Sequence, residues 1–143
     1  MDTQSSFCTF RVGSLKLGVE VHRVQEVIRQ QRMTRVPGSP QTVSGLMNLR
    51  GQIVTALDLR RCLSLPVDKN DEPNMNVVIR TADDSVSLLV NEIGDVLVVD
   101  NAQFEPPPET LRGAARKLIR GVYKLDSGLL MALDTDAVLT SAA

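Results

Sequence analysis

Residues 45–61 read GLMNLRGQIVTALDLRR. A polar turn bracketed by Gly45 and Gly51 opens onto an apolar run, which exits through Asp58, Arg60 and Arg61. Within it, QIVTALDL is apolar on both faces except at Thr55 and Asp58, which predicts a strand covered on both sides. Such a strand leaves Asn48 and Arg50 unexplained. The glycines permit a bend that a Cβ would obstruct, and asparagine tolerates the left-handed conformation. The expectation is therefore a bend at Asn48 with Arg50 projecting from it.

Outward from this stretch, strand signals repeat. Cys8, Phe10 and Val12 alternate with polar neighbours, Leu15, Leu17 and Val19 do the same, and Gly13-Ser14 between them suits a type II′ hairpin. Val21, Val24 and Val27 or Ile28 then recur at helical spacing, predicting a short helix that passes into an extended segment near Ile28. Three valines make it a weak helix. RVPGSP, residues 35–40, is punctuation. NVVIR and SVSLLV predict a hairpin around TADDS, and IGDVLVVD a further strand. EPPPE, residues 105–109, reads as a stiff extended loop. IRGVYKL and LLMALD pair across Asp126-Ser127-Gly128, and a last short helix starts near Asp134 as N-cap. Many short strands joined by tight turns describe a mainly β fold, a barrel or sandwich with minor helices.

The 143 residues, 43% hydrophobic with a mean hydropathy of −0.02, form one domain or two half-domains sharing a core. No segment approaches the roughly 20 apolar residues of a membrane span, and the acidic, polar start MDTQSSFCTF is no secretory signal, so a cytoplasmic location is expected. Cys8 and Cys62 lack C-x-x-C spacing and His22 is the single histidine, so no metal or other cofactor is expected. Residues 1–62 carry nine Lys or Arg and four Asp or Glu, a net +5; residues 63–143 carry seven and thirteen, a net −6. Such asymmetry either steers association or reflects two solvated faces.

Signatures of catalysis are missing. The chain has no G-x-S-x-G, G-x-x-x-x-G-K-[ST] or G-x-G-x-x-G, and His22 has no nucleophile beside it, so no catalytic residue is assigned. Asp83-Asp84 belongs to a hairpin tip. Arg112, Arg116, Lys117 and Arg120 form the most basic run. A small nucleic-acid-binding β-barrel is the alternative reading, but the only aromatic residues are Phe7, Phe10, Phe104 and Tyr123, too few to interleave as stacking platforms.

The motifs acquire an order in VQEVIRQQRMTRVPGSPQTVSGLMNLRGQIVTALDLRRCLSL. V-x-E-[VI] at Val24 to Val27, V-P-x-x-P at Val36 to Pro40, G-x-x-N-L-R-G at Gly45 to Gly51, and an apolar strand ending D-L-R at Asp58 to Arg60 together resemble the CheW family of chemotaxis coupling proteins. IRGVYKLDSGLLMALDTDAVL resembles that family's C-terminal end, and the likeness spans residues 7–139. Thr55 stands where the family usually has proline, and residues 105–117 follow the pattern poorly.

The resemblance implies a single CheW-like domain over residues 1–143, made of two intertwined SH3-like five-stranded β-barrels with short helices and a hydrophobic groove. It implies a non-enzymatic adaptor that links cytoplasmic helical tips of chemoreceptors to the regulatory domain of the histidine kinase CheA, held at receptor arrays through its partners without direct membrane insertion. With no receiver domain attached, a free-standing adaptor fits better than the homologous CheA domain. On this reading Val24, Glu26, Gly45, Leu46 and Arg50 meet the receptor, with Arg50 paired to Glu26 at the groove edge. Whether Arg50 recognises a partner or only ties two elements together stays open here. Exposed second-half positions around Leu88, Val90 and Val96 are expected to face the kinase, although core packing is the commoner role of such residues.

Overall fold

The computed structural model describes residues 3–82 and 84–142, with side chains through residue 140 in that range. Strands β1 (Gln4–Val12) and β2 (Leu15–Glu20) form the N-terminal hairpin. A single 3-10 turn, Val21–Arg23, follows and leads into β3 (Val24–Arg29). The expected short helix is thus one turn long, and Val24, Val27 and Ile28 belong to a strand. Consecutive β-branched residues favour extended backbone once the turn is made.

Next come β4 (Val43–Leu49), β5 (Gln52–Asp58), helix α1 (Leu59–Cys62), β6 (Met75–Arg80) and β7 (Ser85–Val90). These five strands make one sheet, in the order β3-β6-β7-β5-β4. The chain then returns to the first sheet with β8 (Glu92–Asp100), a 3-10 turn, β9 (Phe104–Glu105), helix α2 (Gly113–Leu118), β10 (Ile119–Leu125) and β11 (Gly128–Leu133), and ends in α3 (Thr135–Ala142). That sheet has six strands rather than the expected five, ordered β8-β1-β2-β11-β10-β9, because the two-residue β9 adds to β10. Asp134 caps α3 as anticipated, its carboxylate accepting the Ala137 N–H at 3.0 Å. Asp84 shapes the β6–β7 turn by exchanging hydrogen bonds with Thr81, while Asp83 lies outside the described residues.

A shared core explains why the halves fold together. Phe10, Val12 and Leu17 of the six-stranded sheet meet Val77, Ile79, Leu88 and Val90 of the five-stranded one, with Leu118 and Val138 added by the helices. Each sheet also curls around a smaller cluster of its own: Phe7, Val99, Tyr123 and Leu130 in one, Met47, Val54 and Val78 in the other. Two small barrels sharing a central layer is the architecture the family resemblance implied, where the strand patterns alone left barrel and sandwich open.

Candidate functional site

Paired residues in neighbouring strands share a face, so strand register sorts the candidates. Val24 pairs with Ile79, Ile79 with Val86, Val86 with Thr55 and Thr55 with Leu46. These five side chains form one row across the sheet, on the face that packs into the central core. One step on, the same face emerges at Ile53, which pairs with Asn48 and is 57% exposed.

The opposite face carries a second row: Glu26, Val78, Ser87, Ala56 and Gly45. Val24 and Glu26 are two residues apart, and strict alternation would set them on one side. A bulge between them in β3 puts them on opposite sides, and a matching bulge in β4 does the same to Val43 and Gly45. The expected single surface is therefore split. Val24 and Leu46 are half-buried on one face, whereas Glu26 looks into the mouth of the small barrel.

Gly45 is buried and presents no contact surface, which corrects its assignment to a docking face. A Cβ there would lie 2.7 Å from the Thr34 carbonyl oxygen and 3.2 Å from Cβ of Met33. The close approach lets Thr34 and Leu46 exchange two backbone hydrogen bonds of 2.8 Å each. Strand β4 and the segment after β3 are thereby joined, although β3 and β4 lie at opposite edges of the sheet.

Arg50 makes the second link between these edges. Its guanidinium pairs with Oε2 of Glu26, while the arginine side chain is 74% exposed and the glutamate 17%. The other oxygen of that carboxylate, Oε1, is buried without a hydrogen-bond partner. The bend also differs from expectation. Asn48 is in strand β4 and its side chain accepts the Gly51 N–H at 2.9 Å, whereas the left-handed residues are Arg50 (φ 54°) and Gly51 (φ 85°). Positive φ at both central residues is the signature of a two-residue type I′ turn. Left-handed backbone at a residue with a Cβ costs about 1–2 kcal/mol, so Arg50 is a strained choice where a second glycine or an asparagine would sit more easily.

Leu88 and Val90 are fully buried, which corrects the expectation that they are exposed. Their strand β7 lies in the middle of the sheet and both side chains enter the central core. Val96 is 60% exposed and Val98 61%, both on edge strand β8. Val96 pairs with Cys8 and Val98 with Ser6, on the face of β1 that carries Phe10 into the core. Val98 and Ile53 escaped the sequence reading because a strand rich in valine and isoleucine looks buried until its neighbours are known.

Half of the basic run is engaged. Arg116 donates to the carbonyl oxygen of Pro108 at 2.8 Å, and Arg120 pairs with Glu20 at 3.0 Å and lies over the Phe104 ring. Nothing in it supports the nucleic-acid reading. Among the described residues no group of three or more His, Cys, Asp or Glu is placed to hold a metal, and no helix is long and apolar enough to cross a membrane. Burial pushes the Cys62 thiol up to about 11.

Two clefts open away from these rows. The larger, about 1040 Å³, is lined by residues of the 30–44 crossover and the 58–73 loop, and neither Glu26 nor Arg50 is among them. Its floor loop is tethered by Arg11, which donates to Asp71 at 2.6 Å and holds that carboxyl below the usual carboxylate range. A lowered folded pKa means the pair stabilises the fold above the ordinary carboxylate pKa and is lost as pH falls through the lower, folded value. Acid-unfolding curves should therefore show a shallower low-pH limb in Asp71→Asn than in the parent protein; identical limbs would show the pair contributes nothing.

Comparison with known proteins agrees with this geometry. The CheW-like domain model matches residues 6–143. The chain is 30% identical over 137 residues to "Chemotaxis protein CheW" of Bacillus subtilis, covering 96% of this chain and 88% of that one. It is 29% identical over 135 residues to "Chemotaxis protein CheW" of Klebsiella aerogenes, covering 94% and 81%. The crystal structure of scaffolding protein TtCheW from Thermoanaerobacter tengcongensis superimposes with a TM-score of 0.81 at 21% identity, over 91% of this chain and 88% of that one. With its two-barrel fold, its edge-closing arginine and a match over nearly its whole length, the chain belongs to the CheW-like domain family.

Proposed function

We propose that this protein is a non-enzymatic adaptor of chemosensory signalling, coupling the helical tips of chemoreceptors to the histidine kinase CheA at membrane-associated arrays in the cytoplasm. The receptor tip docks at the sheet edge closed by the Arg50–Glu26 pair, with the half-buried Val24 and Leu46 reaching that edge from the other face of the sheet. Gly45 acts by letting the edge close, not by contact. Val96, on the other sheet, belongs to the kinase-facing side.

The observation that carries the receptor reading is the backbone of Arg50. A strained left-handed arginine at an exposed tip is kept where glycine would be easier, and strain of this kind concentrates at working surfaces. Its guanidinium covers the largely buried Glu26 carboxylate yet stays 74% exposed, so its remaining donors are open to a partner. A fixed charge pair flanked by aliphatic side chains suits one face of an amphipathic helix.

Arg50→Gly and Arg50→Ala separate recognition from scaffolding. Both remove the guanidinium, but glycine relieves the left-handed strain and alanine retains it. Arg50→Gly is expected to be more stable than Arg50→Ala by about 1 kcal/mol in urea denaturation. Both should lose receptor pull-down. Retained pull-down in Arg50→Gly would mean that the arginine only closes the barrel.

A further inference from the structure

The large cleft is electrostatically unlike the receptor-facing rows. Arg32, Arg35, Arg60 and Arg61 line it, opposed by Asp58 and Glu72. Asp58 is already engaged, as cap of α1 and partner of Arg61 at 3.5 Å. Arg32 and Arg35 are exposed on the crossover and make no ion pair or side-chain hydrogen bond among the described residues.

Beneath them lies Arg60, only 3% exposed. Its Nε is buried with no partner, its Nη1 reaches the carbonyl oxygens of Asp68 and Asp71 only at 3.4 Å, and its Nη2 stands 3.6 Å from Glu72. A buried guanidinium with five donors normally finds short, charge-assisted acceptors. This one is under-supplied at the floor of a cleft whose rim is also cationic.

We propose that this cleft binds an extended acidic segment of a partner protein. The occupant is a chain rather than a small anion because the cleft holds about 1040 Å³ and its free arginines stand up to about 10 Å apart at full extension, a spacing that successive carboxylates on an extended strand can meet. Gln30 and Ser44 supply further side-chain donors for its backbone, whereas Gln31 and Ser39 already donate to the carbonyl oxygens of Arg29 and Val36. A nucleic acid fits less well, since no aromatic side chain lines the cleft to stack on bases. The site is separate from Arg50 and does not depend on the receptor reading.

A fluorescein-labelled decapeptide of alternating glutamate and glycine, titrated with the full chain at low salt and followed by anisotropy, tests this. Arg32→Glu/Arg35→Glu is expected to weaken binding at least about ten-fold. Arg112→Glu/Lys117→Glu makes the same change in charge on exposed residues elsewhere and should leave the affinity within about two-fold. Equal loss in both double variants would reduce the binding to overall charge and overturn the assignment, as would no measurable binding by the parent protein. A ten-nucleotide oligothymidylate that binds as tightly and is equally sensitive to the Arg32/Arg35 change would also overturn it, in favour of a general polyanion site.

Discussion

Leu88→Ala is expected to lower unfolding stability by about 2–5 kcal/mol. The side chain is fully buried among residues of both sheets, so truncation leaves a cavity in the layer that holds the barrels together. Urea denaturation followed by far-UV circular dichroism measures it directly. Any loss of kinase coupling in this variant would then follow from the folded fraction and disappear when activity is normalised to it. Val96→Asp is the informative contrast. It sits on an exposed edge strand, and its stability should stay within about 0.5 kcal/mol of the parent. If co-sedimentation with CheA and receptor-bearing membranes falls in Val96→Asp at unchanged stability, β8 faces the kinase. Undiminished co-sedimentation would remove Val96 from that interface.

Gly121→Ala should be nearly as damaging. The ring of Phe104 lies directly over Gly121, and a Cβ there would overlap the ring and stand 2.5 Å from the Glu105 carbonyl oxygen. The ring packs on Tyr123 with centroids 5.2 Å apart, and β9 is held to β10 at this point. Displacing it should cost about 3 kcal/mol. Phe104→Ala in the same chain removes the ring overlap but not the approach to backbone. The double variant should therefore be more stable than the sum of the single effects by at least about 1 kcal/mol. Strict additivity would show that ring contact is not what requires glycine at this position.

Much of the fold was legible because alternation is a local signal. β1 and β2 emerged from period-two alternation, β6, β7, β10 and β11 from apolar runs flanking turn residues, and the final helix from its cap and apolar spacing. Helices α1 and α2 were not seen, since four and six residues are too few to display a helical period. The Val21–Ile28 stretch misled for a related reason: valines at three-residue spacing also fit a turn followed by a bulged strand. The candidate site was readable as a pairing, with Arg50 and Glu26 brought together as proposed, but not as a surface. Which face each residue occupies depends on bulges in β3 and β4, and a bulge shows only in the register with the partner strand, β6 for β3 and β5 for β4, not in the residue pattern of the strand itself. Leu88, Val90 and Val96 show the same limit. All three are aliphatic residues in strands, and only the position of the strand, central for β7 and at an edge for β8, separates core from surface.

The order of strands along the chain has a consequence for biosynthesis. The five-stranded unit is continuous, from β3 to β7, whereas its six-stranded neighbour combines the first two strands with the last four. On a translating ribosome the continuous unit can pair its strands as soon as β7 clears the exit tunnel, while β1 and β2 wait for partners not yet made. Nascent chains stalled shortly after β7 should thus protect β5–β7 from protease and leave residues 4–20 open to cleavage. Uniform protection of both regions would mean that the N-terminal hairpin finds an early refuge elsewhere.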